Sequence, residues 1–424
     1  MTSHDNTGHN SGTGTTGEAG RPPLFYGWYV VAAAFAVTFV GFGAAYSFSA
    51  FVEALQQEFS ASRGAVSLVF SLAGFLYFGL GVVTGPLADR FGSKPMAVIG
   101  MVLVATGLVL AGFAQSLTQV YLAYGLGVGL GVGCSYVPSV GTVQRWFARR
   151  RGFASGLAVS GIGFGTLIMP LLAALLIGTL GWRNAYISLG ALSAVLGISM
   201  ALLIVNDPRS RGLGPDGGPP LPPTSSGASE GIELKKAIRS RPFLTLYFAG
   251  LIASFGLFVP FVHLVPFATD QGMTAGEGAF LLGMVGVGST IGRFLLGNVA
   301  DIIGRRTALV LAFAGMAATL VIWAVSTSLL PLAIFGLTFG TFYGGFVALM
   351  PALVMDYFGG RHVSSIIGVL YTSVALGTLI GPTAAGYAYD LTQDYTLAIL
   401  GSIVVNLVAA IAVATLRKPE SAAA

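Results

Sequence analysis

Long apolar stretches separated by short polar segments make up most of this chain. Each stretch holds few charged residues over roughly 20 positions, the length that a helix needs to cross the hydrocarbon core of a bilayer. Runs of this length favour α-helices over the alternating strands of a membrane β-barrel. We predict an all-α membrane protein with twelve transmembrane helices, at residues 27–51, 63–86, 95–115, 119–143, 152–178, 185–205, 243–267, 276–299, 305–326, 330–355, 364–388 and 394–416.

Composition supports this prediction. Of 424 residues, 54% are hydrophobic and only 9% are charged, too few to cover a soluble core of this size. The single cysteine, Cys134, lies in an apolar run, which excludes an internal disulfide and argues against a cysteine metal site. No metal-binding or cofactor-binding pattern is present, and we predict neither a metal nor a cofactor.

The basic residues are distributed unevenly between the two sides of the predicted helices. With the first 24 residues placed in the cytoplasm, 18 of the 21 Lys and Arg residues fall in tails and loops on that side. This positive-inside bias predicts a multi-pass protein of the cell (inner) membrane with both termini cytoplasmic. It also explains the net charge of +5 without nucleic-acid binding.

Two short motifs recur 212 positions further along the chain. "GPLADRFGSKP" at 85–95 is followed by "GNVADIIGRRT" at 297–307, and "GTLIMP" at 165–170 by "GTLIGP" at 377–382. A duplicated six-helix half is a common transporter plan. The predicted organisation is a disordered tail at 1–24, a half at 25–206, a linker at 207–242 with an amphipathic helix from Ile232 to Arg241, a half at 243–416 and a tail at 417–424.

The first repeated motif resembles the signature loop of the major facilitator superfamily. Further motifs resemble its monocarboxylate and oxalate/formate branch: "YGWYVV", "WFARRRGFASG", "GWRNAY", "RGLGPDG" and "VHLVPFATDQG". The resemblance implies alternating access between two six-helix halves. It also implies that the repeated loop is a conformational latch rather than a plain tight turn, with the residues Gly85, Asp89, Arg90, Gly92, Gly297, Asp301, Gly304 and Arg305.

Arg293 lies inside a predicted helix, where an unpaired arginine costs roughly 2.5–3.5 kcal/mol. All sixteen acidic residues fall in loops, tails or helix ends, so no resident carboxylate is an obvious partner. Arg293 either extends to Asp301 and the lipid headgroups or binds an anionic substrate. Gly286, Ser289 and Gly297 share its helical face and leave space for a planar carboxylate.

The resemblance implies that an arginine in helix 8 binds the substrate carboxylate, and Arg293 matches that position. Animal relatives carry an aspartate one turn earlier, where this chain has Ser289, which argues against an aspartate proton relay. Tyr136 and Tyr343 are further candidates for substrate binding, with Tyr46 and Tyr371 as additional ones. His263 either carries a proton or is a hydrogen-bonded gate residue.

The predicted substrate follows from the number of cations. Relatives of the oxalate type pair the helix 8 arginine with a helix 11 lysine, but residues 364–388 contain neither Lys nor Arg. One cation fits a small monocarboxylate such as lactate, pyruvate or acetate. The chain has no phosphate-binding loop, so gradients rather than ATP must supply energy. We predict a secondary transporter, not an enzyme, that couples to protons, lies in a lipid bilayer and requires no oligomer.

Three alternatives remain open at this point. An exchanger of organic anions of the oxalate/formate type would require an internal counter-substrate. An exporter of hydrophobic solutes is the second, although the run "GTLIMPLLA" in helix 5 lacks the "GPxxGG" pattern of many drug antiporters. A membrane receptor without transport would show binding without flux.

Overall fold

A computed structural model describes residues 25–219, 232–359 and 362–416, except for the side chains at 89, 151, 363 and 364. The predicted tails at 1–24 and 417–424 therefore lie outside the described residues, as does the middle of the linker. Helices make up nearly all of the described chain. We number the twelve that span the membrane α1 (Gly27–Phe59), α2 (Arg63–Gly79 and Gly81–Phe91), α3 (Ser93–Gly112), α4 (Leu117–Trp146), α5 (151–180), α6 (182–202), α7 (Arg241–Asp270), α8 (Ala275–Ile303), α9 (Arg305–Val325), α10 (Leu329–Phe358), α11 (Val363–Thr392) and α12 (Thr396–Ala414).

The number twelve depends on two breaks in the helices. Within the described ranges, ten helices are long and apolar enough to cross a membrane, and the bent pair that forms α2 is an eleventh candidate. One of the ten, Gly152–Leu202, has 51 residues. At 1.5 Å per residue it would be about 76 Å long, more than twice the bilayer core. Its backbone breaks at Gly181, where φ is +78°, so it forms two spans and the predicted twelve-helix fold is confirmed.

The two ends of the described chain lie on one face of the bundle. Phe25, just before α1, packs on Trp146 at the end of α4 with ring centroids 5.7 Å apart. Arg306 at the start of α9 donates a hydrogen bond to the Ala414 carbonyl at the end of α12. We call this side the tail face. The opposite side, where Arg63 begins α2 and Asp270 ends α7, is the far face.

The sequence repeat is also a structural repeat. Thr166 and Thr378 belong to the two "GTLI" motifs, and each packs on a glycine of the other half: Thr378 on Gly74, and Thr166 on Gly286. These two glycines are themselves separated by the same 212 positions. The α2–α11 and α5–α8 contacts are therefore equivalent, which confirms two pseudo-symmetric six-helix halves.

The prediction of an amphipathic helix from Ile232 to Arg241 is wrong. Only one turn, Leu234–Ala237, is helical there. Ser240 caps the next helix through its side chain, which accepts a hydrogen bond from the Phe243 backbone N–H. Arg241 is thus the first residue of α7, and Pro242 in the first turn favours a helix start at this point.

Only part of the repeated loop requires glycine. Gly92 and Gly304 have φ of +92° and +86°, a region that favours glycine. A Cβ at Gly85 or Gly297 would instead meet no atom within 4 Å. Glycine at these last two positions is not required by packing in this conformation.

The polar residues of this loop form contacts within one half. Arg305 donates hydrogen bonds to the Asp356 carboxylate and to the Ala352 carbonyl, both in α10. Arg90 and Asp301 are exposed, and the Asp89 side chain lies outside the described part of the structure. The latch role of these residues stays a prediction.

Candidate functional site

Glycines hold the helix of Arg293 against its neighbour. Gly288 and Gly292 in α8 lie against backbone carbonyls of α10, at Leu337 and Thr341. Gly340 and Gly344 in α10 lie in turn against α8 carbonyls, at Val285 and Ser289. A side chain at any of these four positions would collide with backbone. The register of α8 on α10, and with it the position of Arg293, is therefore fixed by backbone contact.

We expect Gly292→Ala to destabilise the protein because its methyl group has no room beside the Thr341 carbonyl. Overpacking of this kind typically costs about 1–3 kcal/mol, and backbone yields less than side chains. The matched control is Gly297→Ala on the same helix, where the site is open. Thermal unfolding of the purified variants measures the difference. An equal melting temperature for both would contradict the packing.

Arg293 reaches from α8 to the backbone of α5. Its Nη1 donates a hydrogen bond to the Val159 carbonyl at 2.7 Å, and the residue is only 7% exposed. No described acidic residue forms an ion pair with it. Asp301, the alternative partner considered from the sequence, is exposed on the tail face. Arg293 thus points across the interface between the halves, not along its own helix to the surface.

Two nitrogens of Arg293 have no acceptor. Nε and Nη2 are buried and form no hydrogen bond to the described residues. These two N–H groups share one edge of the guanidinium and point in parallel, the arrangement that matches the two oxygens of a carboxylate. Buried donors without a partner are costly and rare. The edge therefore keeps two donors without an acceptor among the described residues.

Tyrosines surround this arginine. Tyr136 and Tyr371 line one cavity with Arg293, and both also line an adjoining pocket with Tyr343. The Tyr46 and Tyr343 hydroxyls lie 3.3 Å apart and connect α1 of the first half to α10 of the second. All four tyrosines considered from the sequence are thus brought together around Arg293.

Ser289 lies one turn before Arg293 on α8. It is buried, 2% exposed, and its backbone carbonyl lies against Gly344 in the α8–α10 contact. It lines neither of the two cavities described below. Its Oγ is buried and forms no hydrogen bond to the described residues, so its role in substrate binding stays a prediction.

A cavity of about 310 Å³ connects the site to the tail face. Arg293, Tyr136 and Tyr371 form its deep end, and Gln144 and Gly152 line it near the tail-face ends of α4 and α5. Helices of both halves form the wall. The site is therefore accessible from the tail face in this conformation.

Aromatic side chains close the site on the other side. Phe261 lies between the Tyr46 ring, at 4.6 Å, and the Tyr343 ring, at 5.1 Å. Beside them is a pocket of about 30 Å³, the space of one water molecule, next to the deep end of the cavity. Its lining is almost entirely apolar and comprises Phe42, Phe78, Tyr136, Ile162, Phe258, Tyr343, Phe346, Val347, Met350, Tyr371 and Val374.

An ion pair joins the two halves at the far face. Both Nη atoms of Arg63 in α2 bond the two carboxylate oxygens of Asp270 in α7, at 2.5 and 2.7 Å. Asp390 in α11 accepts from the backbone N–H groups of Arg63 and Gly64. The far face is thus closed while the tail face is open.

His263 belongs to this closure and not to the arginine site. Its Nε2 is 2.8 Å from the Pro382 carbonyl, and its Nδ1 is 3.2 Å from the Tyr395 hydroxyl. The residue is fully buried and lines neither cavity around Arg293. Sequence reasoning identified His263 but gave no sign of its neighbours, since they come from α2, α11 and α12.

Comparisons with known proteins agree with this architecture. Residues 33–297 and 246–424 match the profile described as Major Facilitator Superfamily. The chain is 31% identical over 399 residues to human "Monocarboxylate transporter 11", which covers 92% of this chain and 83% of that protein. It is 30% identical over 385 residues to rat "Monocarboxylate transporter 3", covering 89% and 77%.

A solved structure shows the same fold. It is a bacterial homologue of the human lysosomal transporter Spinster in an inward-facing and unoccupied conformation. The TM-score is 0.71 at 16% sequence identity, with 93% of this chain and 97% of that chain covered.

Two six-helix halves around a central site that opens to one face define a membrane transporter. The match along the whole chain then identifies the family: the protein belongs to the major facilitator superfamily and to its monocarboxylate transporter branch.

Proposed function

We propose that this protein is a secondary active transporter of small monocarboxylates and that Arg293 binds the carboxylate. The observation that carries the proposal is the buried guanidinium edge, Nε and Nη2, which has no acceptor among the described residues. An anion that arrives from the cavity supplies that acceptor and leaves again. Tyr136 and Tyr371 at the deep end are positioned to add hydrogen bonds to the same anion.

Both nitrogens are covered by neighbouring side chains in this conformation. Substrate entry therefore requires a small movement of those side chains. In return the movement replaces two unsatisfied donors with charge-assisted hydrogen bonds, each about 1.5–3 kcal/mol. This gain is available only to a ligand that carries an acceptor pair.

The charge and size of the site favour a small monovalent acid. α11 contains no Lys or Arg between Val363 and Thr392, so the described site holds a single cation. The apolar pocket beside it has room for about one small group, in keeping with a methyl or ethyl tail. Names of the relatives point to the same substrate class, as monocarboxylate transporters.

Proton coupling and orientation complete the proposal. We assign the tail face to the cytoplasm, because the topology predicted from the sequence gives that side 18 of the 21 basic residues. The protein resides in the cell membrane. A symported proton would compensate the charge of the anion and let an imposed pH gradient drive accumulation.

The test is uptake of labelled lactate, pyruvate and acetate into proteoliposomes with an imposed pH gradient. We expect uptake that rises as the outside becomes more acidic than the inside. Uptake that does not depend on the pH gradient but requires an anion inside the liposomes would favour the organic-anion exchanger instead. Transport of hydrophobic neutral solutes with none of a carboxylate would contradict the proposal.

The apolar pocket predicts how the tail length is selected. Phe258 in α7 is buried and fills part of this pocket, so Phe258→Ala should admit a longer tail. We expect the ratio of kcat/KM for hexanoate to that for lactate to rise about tenfold, the usual worth of one or two methylene contacts. Phe255→Ala is the control, since Phe255 on the same helix lines a crevice between α7, α11 and α12 instead. The same ratio in both variants would refute the assignment of the pocket.

A further inference from the structure

We propose that His263 is a proton-binding site that the closed far face keeps neutral, so that proton binding and far-face opening are coupled. The proposal rests on the proposed function only for the use made of the proton. Its evidence is a chain of hydrogen bonds that crosses between the two halves. The direction of every bond in that chain follows from the chemistry of its atoms.

The histidine tautomer is set by its partners. The Pro382 carbonyl has only lone pairs, so Nε2 of His263 must carry the hydrogen that it shares over 2.8 Å. Nδ1 of a neutral ring is then an acceptor. It therefore accepts the hydrogen of the Tyr395 hydroxyl at 3.2 Å.

The tyrosine connects this ring to the ion pair. Arg63 Nη1 donates to the Tyr395 oxygen at 2.7 Å, and the same Nη1 also bonds Asp270. The Arg63 guanidinium stacks over the Tyr389 ring, 4.0 Å from its centroid. All donors in the series thus point one way: from Arg63 to Tyr395, from Tyr395 to His263 and from His263 to Pro382.

A proton on Nδ1 breaks this series. The new N–H bond turns Nδ1 from acceptor into donor, so the Tyr395 hydrogen loses its acceptor and must rotate away. The Tyr395 oxygen would then face two cationic donors, Arg63 and protonated His263. His263 and Tyr395 are buried, so the repulsion between the two cations is only weakly screened.

The nearby acids do not relieve this conflict. Asp270 is already engaged by the Arg63 guanidinium, and Asp390 by the backbone N–H groups that begin α2. Of the acids on other elements that pack on this part of α7, Glu53 is exposed and accepts from Gln57, and Glu277 is half-buried and accepts from Thr274.

The consequence is a link between pH and conformation. Neutral His263 completes the closed far face, whereas protonated His263 opposes it and is better accommodated once α2 separates from α7 and α11. Ser67 of α2, 3.4 Å from Nε2, would move away with that separation and expose the ring to water from the far face. A proton taken up from the far side thus favours the conformation that receives substrate from that side.

The experiment measures far-face opening without substrate. Spin labels are attached at Thr118→Cys in the first turn of α4 and at Thr327→Cys in the loop before α10, both exposed at the far face in opposite halves, with Cys134→Ser to remove the native thiol. Distances are recorded in liposomes from about pH 8 to about pH 5, the range in which histidine titrates. We expect the long-distance population to grow as the pH falls.

Three outcomes decide the proposal. His263→Gln keeps a donor for Pro382 and an acceptor for Tyr395, so the far face of this variant should stay closed at every pH. Tyr395→Phe removes the donor to Nδ1, so opening should begin at higher pH than in the parent protein. Equal pH dependence in the parent and in His263→Gln, or no pH dependence in the parent, would overturn it.

A control separates the histidine from the ion pair. Asp270→Asn should open the far face at all pH values yet retain a residual pH response, because His263 is still present. A complete loss of the response would assign the proton to Asp270 instead and contradict the proposal. The spin-label experiment contains no carboxylate, so a negative result would not bear on the proposed substrate. Absence of lactate uptake would likewise not bear on the coupling between His263 and far-face opening.

Discussion

Arg293→Lys should reduce carboxylate uptake about 100-fold or more. Lysine keeps the positive charge but cannot offer two parallel N–H groups from one edge. Loss of two charge-assisted hydrogen bonds, about 1.5–3 kcal/mol each, corresponds to at least two orders of magnitude in affinity. Initial rates of labelled lactate uptake, over a range of concentrations, measure the effect.

The matched control for this variant is Arg209→Lys. Arg209 is exposed in the linker, far from the cavity, and its substitution should leave uptake unchanged. Purified yield and melting temperature show whether the Arg293 variant folds. Full uptake by a folded Arg293→Lys protein would show that charge alone suffices, and the carboxylate edge would lose its role.

Asp270→Asn should lower the maximal uptake rate about tenfold by weakening closure of the far face. The Arg63–Asp270 pair is bidentate, and the two side chains are only 11% and 28% exposed. Exposed ion pairs contribute up to about 1 kcal/mol, whereas removal of one partner from a buried pair costs about 3–5 kcal/mol. The Arg63–Asp270 pair is intermediate in burial, so we expect an intermediate cost. Loss of its charge therefore shifts the closed-to-open ratio by roughly one to two orders of magnitude.

A second ion pair on the same face provides the control. Arg183 and Glu58 are 2.9 Å apart, but both belong to the first half and move together. Glu58→Gln should thus leave the uptake rate nearly unchanged. If both substitutions reduced uptake equally, general surface charge rather than closure between the halves would explain the effect.

Hydrophobic length was sufficient to predict the twelve spans, because the bilayer imposes that length on every helix. The repeat spacing of 212 predicted the two related halves, and the "GTLI" threonines pack on glycines that show the same spacing. The linker was harder to predict. Only one turn of the expected amphipathic helix is present, because Ser240 and Pro242 start the next helix at Arg241.

The candidate site was predicted in part. An arginine in an apolar helix is conspicuous in sequence, and so are tyrosines in predicted spans. The Val159 carbonyl that orients Arg293 is backbone and carries no sequence signal. Ser289 shares the helical face of Arg293 by spacing, and its Oγ is likewise buried without a hydrogen bond to the described residues.

The far-face network was missed for a different reason. Arg63 and Asp270 are 207 positions apart, and each lies at a helix end, where charged residues are ordinary. Only the tertiary arrangement joins them to Tyr395 and His263. Pairing of this kind is not encoded in local patterns.

The central claim is that the substrate carboxylate completes the hydrogen bonds of Arg293. The most direct measurement is equilibrium binding of lactate and of lactamide, its neutral analogue of nearly equal shape, to the purified protein. We expect that lactate binds and that lactamide binds at least about 100-fold more weakly, with the difference lost in Arg293→Lys. Equal affinity for the two ligands would contradict it.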